Sequence, residues 1–175
     1  RYFEAYLWGA AGQLPDESRI FGHEYAPGIT AGDDIFTVMS SDIFRGSAFA
    51  LGYVNPDNLR GMNIWSDMYK VIRKANLMLA RMDECQDMTA LDRRNYTGYI
   101  HFLRGYAYYH ILMTCGPAIL VGDEIFESNL EGPAYNTYRA TYDETVEYIC
   151  SELETAAAYL PLKASIAQFE RPTKG

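Results

Sequence analysis

Hydrophobic side chains recur every three or four positions in four segments of the chain, the spacing that places them on one face of an α-helix. The predicted helices cover Tyr2–Ala11, Met62–Met82, Thr89–Thr114 and Thr141–Leu160. No segment alternates apolar and polar residues in the way that a half-exposed β-strand does. The pattern therefore predicts an all-α protein.

Residues that cap or stop helices mark the boundaries of these segments. Thr141 and Glu144 have the spacing of a capping box, in which each side chain bonds a backbone N–H at the start of the helix. Thr89 and Asp92 have the same spacing, with Asp in place of the usual Glu or Gln. Pro161 cannot continue a helix, so we expect the last helix to end before it.

The region between the first two helices, from about Gln13 to Arg60, is rich in glycine and proline and is predicted to be mostly irregular. Loops of this length inside compact domains are uncommon and often functional. Two long helices joined by a loop, followed by a third, form the layout of helix-hairpin repeat proteins.

The third predicted helix is the most apolar and carries one conspicuous charge. It has two hydrophobic stripes, Ile100, Leu103, Ala107 and Ile111 on one and Phe102, Tyr106 and Tyr109 on the other. A helix that is apolar on two sides is expected to pack between neighbours. Arg104 lies in the middle of this helix, and a buried charge needs a partner.

Composition and charge narrow the class of protein. The chain has 175 residues, of which 49% are hydrophobic and 22% charged, so we expect a globular domain. Its net charge of −8 argues against binding to nucleic acid or to an anionic membrane surface. The three cysteines, Cys85, Cys115 and Cys150, lack metal-site spacing, and we interpret them as unpaired, mostly buried thiols.

The sequence shows few of the features that are typical of an enzyme. The histidines are scattered, and His101 and His110 lack the i,i+4 spacing of a metal-binding pair. No GxSxG, GxGxxG or P-loop motif occurs. Asp33 and Asp34 are adjacent, whereas paired catalytic carboxylates usually come from separate elements. We therefore predict a protein without catalytic residues, metal or cofactor.

Four motifs in order resemble the SusD/RagB family of nutrient-binding lipoproteins. The first is W-x3-Y-x2-I-x3-N from Trp65 to Asn76, and the second is Phe-Leu-Arg-Gly at residues 102–105 with the tyrosines and the Gly-Pro that follow. The third is the helix that ends at Pro161, and the fourth is the segment Arg171–Gly175, which is similar to the start of the family's next helix. The resemblance covers most of residues 33–175.

The resemblance implies a tetratricopeptide-like helical-repeat superhelix with long loop insertions. Family members are held at the surface of the outer membrane by a lipidated N-terminal cysteine. They capture oligosaccharides, or in some cases peptides, cap a SusC-like TonB-dependent transporter, and perform no chemistry. Members are several hundred residues long, so we expect residues 1–175 to be the N-terminal portion of such a domain. A helical-repeat scaffold that acts only through protein docking is the alternative.

The resemblance also suggests where a ligand would bind. In the family, residues after an acidic pair contribute aromatic and hydrogen-bonding groups to the ligand site. The matching candidates here are Phe36, Asp42, Phe44 and Arg45. The alternative is that the two phenylalanines pack the loop onto the helices and that the charges are merely solvated. We interpret Trp65, Tyr69, Asn76 and Arg104 as structural core rather than as ligand contacts.

Overall fold

The computed structural model describes residues 2–15, 32–33, 48–49, 51–55, 57–58, 64–126, 138–164 and 171–174. The chain divides into two compact units, one made of Arg1–Gln13 with Asp67–Gly175 and the other of Leu14–Ser66. The described residues of the first unit form helices and turns, without a β-strand. Those of the second unit include a turn in which Tyr53 N donates to Ala48 O at 2.8 Å.

The four predicted helices are present. They are α1 (Tyr2–Ala11), α2 (Trp65–Arg81), α3 (Ala90–Cys115) and α4 (Tyr142–Tyr159). The second helix differs from the prediction at both ends, because it begins at Trp65 rather than at Met62 and because Met82 begins a short 3₁₀ turn, Met82–Glu84.

Both capping boxes form as the sequence predicts. At the start of α3, Asp92 N donates to Thr89 Oγ1 at 3.1 Å and Thr89 N donates to Asp92 Oδ2 at 3.4 Å. At the start of α4, Glu144 N donates to Thr141 Oγ1 at 3.2 Å and Thr141 N donates to Glu144 Oε2 at 2.8 Å. The shorter Asp side chain thus closes the box with a longer second bond than Glu does.

The core is built around α3. Its first predicted stripe is fully buried, from Ile100 to Ile111. The second stripe is only half-buried, and Tyr109 is exposed. The rings of this second stripe stack along the helix, with centroids 5.4 Å apart for Phe102 and Tyr106 and 5.7 Å apart for Tyr106 and Tyr109. The prediction of burial on two sides therefore holds fully for one side only.

Aromatic pairs join α1 to α3. The rings of Phe3 and Tyr96 lie 5.5 Å apart, and those of Trp8 and Tyr99 lie 5.3 Å apart. The guanidinium of Arg171 lies 4.7 Å from the ring centroid of Trp8, a cation–π contact that joins residues 171–174 to α1.

The buried face of α4 differs from the hydrophobic stripe in the sequence. Periodicity favours Val146 and Leu153, but these two side chains are half-buried, while Thr145 and Glu152 are buried. The reason is that both polar groups find partners inside, so their burial is tolerated. Ile149, Ala156 and Leu160, which the periodicity also favours, are buried as expected, so the buried face of α4 is only shifted toward Thr145 and Glu152.

Two glycines allow α3 and α4 to approach closely. A Cβ at Gly98 would lie 3.0 Å from the side chain of Leu160 and 3.1 Å from its backbone N. A Cβ at Gly105 would lie 3.1 Å from Glu152 Cβ. Any larger residue at these positions would push the two helices apart.

The expectation for the cysteines was wrong in one respect. All three are free thiols, as predicted, but Cys85 and Cys115 are half-buried and Cys150 is exposed. Cys150 lies on the solvent side of α4, between the buried residues Ile149 and Glu152 along the chain.

Replacement of Gly98 by alanine should destabilise the protein although alanine favours helix, because the added Cβ would crowd the backbone of Leu160. Overpacking of this kind costs about 1–3 kcal/mol. Gly9→Ala in α1 is the matched control, since no atom lies within 4 Å of its added Cβ. It should stabilise the fold by up to about 1 kcal/mol. Urea unfolding measures both, and equal effects of the two substitutions would contradict the close approach.

Candidate functional site

An extended segment, residues 116–126, follows α3 and lies against the helices. Gly116 ends α3 with a φ of 78°, a conformation that glycine adopts without strain. The segment has no β-strand partner among the described residues. Within the described part of the chain, backbone partners satisfy only a few of its groups, as where Ala140 N donates to Ala118 O at 2.8 Å and Glu124 N donates to Val121 O at 3.1 Å, so other groups must be satisfied by side chains.

Two tyrosines supply part of these hydrogen bonds. Tyr69 in α2 donates its hydroxyl to Ile119 O at 2.9 Å and accepts from Ile119 N at 2.8 Å. Tyr108 in α3 accepts from Val121 N at 3.1 Å. Burial raises the pKa of Tyr69 to about 12 and raises that of Tyr108 as well. Both hydroxyls therefore stay protonated at neutral pH, and that of Tyr69 can act as donor and acceptor at once.

Asn76 and Arg104 hold the turn at the far end of the extended segment. The side-chain amide of Asn76 donates to Gly122 O at 2.9 Å and to Glu124 O at 2.8 Å. Its carbonyl oxygen accepts from Arg104 Nη1 at 2.8 Å. The same Nη1 reaches Asp123 Oδ1 at 2.6 Å. Asn76 thus uses both ends of its amide, and Arg104 fixes which end faces the segment.

Arg104 also forms a two-pronged ion pair with Glu152 of α4. Nε donates to Oε2 at 2.8 Å and Nη2 donates to Oε1 at 2.7 Å. The side chains are 3% and 8% exposed, so the pair is buried. His101 Nδ1 lies 2.9 Å from Glu152 Oε2, and because an ionised carboxylate only accepts, this nitrogen is the donor.

The electrostatics keep this pair charged. Burial acts to raise the pKa of Glu152, but hydrogen bonds from His101 and Arg104 outweigh it and the pKa is lowered. Burial acts to lower the pKa of Arg104, but hydrogen bonds to Glu152 and Asp123 outweigh it and the pKa is raised. Each group thus stabilises the ionised form of the other.

Further side chains secure the rest of the extended segment and the end of α3. Thr145 Oγ1 accepts from Ala118 N at 3.3 Å, and Arg73 Nε donates to Phe126 O at 3.2 Å. Arg139 Nη1 donates to Cys115 O at 2.8 Å and to Pro117 O at 3.2 Å. Side chains from three helices and from the residues before α4 therefore hold this segment in place.

The predicted structural residues fall into two groups in the structure. Tyr69, Asn76 and Arg104 come together around the extended segment. Trp65 is half-buried at the first position of α2. The predicted ligand residues Phe36, Asp42, Phe44 and Arg45 lie outside the described residues, and of the acidic pair only Asp33 is described, as exposed.

The sequence alone did not point to Glu152, His101 or Tyr108 as members of this network. A signal for Glu152 exists, because it falls three positions after Ile149 and four before Ala156, on the buried face of α4. An acid at such a position indicates a partner of opposite charge. His101 carries no comparable signal, and Tyr108 is one of the tyrosines of the second motif, which by itself does not show what its hydroxyl binds.

The described residues contain no group of three or more His, Cys, Asp or Glu placed to hold a metal ion. Nor does any helix in the described part of the chain have the length and hydrophobicity needed to cross a membrane.

Antiparallel helices around a buried arginine network, with long connecting segments, define a helical-repeat scaffold. The chain belongs to the SusD-like family, since a family model described as "Starch-binding associating with outer membrane" matches residues 32–175. No curated protein matches the chain.

Two solved structures share the fold. A SusD-like protein from Bacteroides fragilis NCTC 9343 superposes with a TM-score of 0.73 at 20% identity, over 98% of this chain and 32% of that one. A laminarin-binding SusD-like protein gives a TM-score of 0.71 at 20% identity, over 99% of this chain and 36% of that one. The chain thus spans about a third of these proteins and has their tetratricopeptide-like all-α fold, as predicted.

Replacement of Arg104 by alanine should destabilise the fold by about 3–5 kcal/mol, because it leaves Glu152 buried without its partner. Arg81→Ala is the control, since the Arg81 side chain is 70% exposed and its removal should change the free energy of unfolding little. Chemical denaturation measures the difference. An unchanged unfolding midpoint for Arg104→Ala would show that the ion pair does not support the fold.

The lowered pKa of Glu152 predicts a loss of stability in acid. Its contribution is fully present above the ordinary glutamate pKa of about 4.3 and is lost as the pH falls toward the lower folded-state value. Melting temperatures between pH 7 and pH 3 should therefore fall more steeply in the parent protein than in Glu152→Gln. The variant should already be less stable at pH 7. Parallel curves of melting temperature against pH would show that Glu152 does not cause the loss of stability in acid.

Proposed function

We propose that this chain is part of a non-catalytic nutrient-binding protein at the outer-membrane surface, which captures glycans and passes them to a SusC-like TonB-dependent transporter. The observation that carries the proposal is the family match over residues 32–175, with its description as starch-binding and outer-membrane-associated. Anchoring through an N-terminal lipid in the full-length protein belongs to the same proposal.

The network around Arg104 supports the view that the helices form a scaffold and that other parts of the protein contact the ligand. Tyr69 and Asn76 use their polar groups on backbone atoms of the extended segment. Arg104 uses its guanidinium on the side chains of Asn76, Glu152 and Asp123. Groups engaged in this way cannot also bind a ligand without leaving buried partners unsatisfied. Ligand contacts are therefore expected on loops that the helical scaffold positions.

We propose Phe36, Asp42, Phe44 and Arg45 as those contacts. Aromatic rings offer flat apolar faces on which a sugar ring can stack, and carboxylate and guanidinium groups bind neighbouring hydroxyls in pairs. The net charge of −8 does not repel a neutral sugar. One of the similar structures is described as laminarin-binding, and the family description names starch, so neutral glucans are the first candidates.

Isothermal titration of the full-length protein with oligosaccharides from starch and from laminarin tests the proposal. Binding of at least one glucan is expected, and the double variant Phe36→Ala/Phe44→Ala should weaken it by about tenfold or more, which corresponds to about 1.4 kcal/mol. Tyr138→Ala is the control, because it removes an aromatic side chain that is 89% exposed. Its affinity should match that of the parent protein.

Other outcomes would favour the alternatives. Binding of peptides but of no glycan would indicate a RagB-like peptide-binding protein. Binding of neither, with retention of the co-encoded transporter in a pull-down, would indicate a scaffold that acts through protein docking. Glycan binding that is unchanged in the double phenylalanine variant would place the ligand contacts elsewhere.

A further inference from the structure

An open cavity of about 400 Å³ lies where α3 begins and α4 ends. The two helices run antiparallel, so the first turn of α3 meets the last turn of α4, and Arg94 Nη2 lies 3.4 Å from Ala158 O. The lining residues are Leu91, Arg94, Asn95, Ala158, Tyr159, Leu160, Pro161, Leu162 and Lys174. The cavity lies on the opposite end of α3 from the extended segment and shares no residue with the Arg104 network.

Three large apolar side chains that line the cavity are exposed to solvent. Leu91 is 67% exposed, Leu162 is 73% exposed and Tyr159 is 41% exposed. Apolar surface gains about 25 cal/mol for each Å² removed from water, so covering these residues is favourable. Clustered exposed apolar residues with a polar rim are typical of surfaces that bind another protein.

The charge of the cavity is opposite to that of the whole chain. The chain carries a net charge of −8, yet among the described residues that line the cavity the two charged ones are the cations Arg94 and Lys174. None of the described residues in its lining is acidic. The cavity therefore offers a local attraction for a carboxylate on a molecule that otherwise repels anions.

We propose that this cavity docks a segment of a partner protein that places an aspartate or glutamate beside a large apolar side chain. The carboxylate pairs with Arg94 and Lys174, and the apolar side chain covers Leu91 and Leu162. A sugar fits this lining less well, because its hydroxyls need many hydrogen-bonding partners and five of the nine described lining residues are aliphatic or proline. The docking is separate from glycan binding.

Synthetic nine-residue peptides in three matched sets provide the probe. The first set combines acidic with leucine and phenylalanine residues, the second replaces the acids by lysine, and the third replaces the apolar residues by serine. Measured against the full-length protein, binding is expected for the first set alone. It should weaken between 0.15 M and 0.5 M salt, since exposed charges are screened.

Charge reversal identifies the site. Arg94→Glu/Lys174→Glu should weaken binding of the acidic set at least tenfold and should acquire binding to the lysine set. Arg81→Glu/Lys163→Glu is the matched control, because it makes the same change in net charge at exposed cations outside the cavity. Glycan titration should be the same in both double variants, so a failure of this proposal is distinguishable from a failure of the proposed function.

Several results would overturn the proposal. They are no binding of the acidic set, equal binding by the Arg94→Glu/Lys174→Glu variant, or trigalacturonic acid binding that depends on the same two cations. A dimer in sedimentation that the reversal dissociates would assign the surface to a second copy instead. Leu162→Cys in a Cys150→Ser background should add one maleimide-reactive thiol to those of the background alone in the folded full-length protein, and the absence of that added reaction would show that the protein's own chain covers the cavity.

Discussion

The guanidinium of Arg104 is the group on which the arrangement of this scaffold depends. It pairs with Glu152 of α4, bonds Asn76 of α2, and reaches Asp123 in the extended segment, so one side chain of α3 joins all three. A buried charge is tolerated only when its partners are in place. The relative positions of these elements are therefore coupled, because a shift of any one would leave a charge or an amide unsatisfied in the core.

The extended segment after α3 shows why the motif residues are polar. It leaves a helix and lies against the core without a β-sheet, so its backbone groups depend on side chains such as Tyr69, Tyr108 and Asn76. Side chains that satisfy a backbone are themselves occupied. The motifs by which the chain resembles its family thus describe how the scaffold is built.

Local signals in the sequence were sufficient to place three of the four helices, whereas α2 begins three residues later than predicted. Periodicity and caps place α1, α3 and α4 within one residue of their positions in the structure, because helix boundaries are set by side chains that bond nearby backbone groups. The burial of α3 on its first stripe follows from the same periodicity. The burial of Thr145 and Glu152 in α4 does not, since hydrophobicity ranks Val146 and Leu153 above them. Thr145 and Glu152 are buried because the folded protein supplies hydrogen-bonding partners for their side chains.

The sequence by itself therefore determined the all-α class, the four helices, the caps of α3 and α4 and the need of Arg104 for a partner. It also suggested Phe36, Asp42, Phe44 and Arg45 as ligand contacts, which stay predictions. Tertiary structure alone decided that the partner is Glu152, 48 positions away along the chain, and that Asn76 and Tyr69 serve the extended segment. The physical reason is that helix formation is governed by neighbours three or four positions apart. The pairing of a buried charge is governed by whichever group the packed helices bring to it.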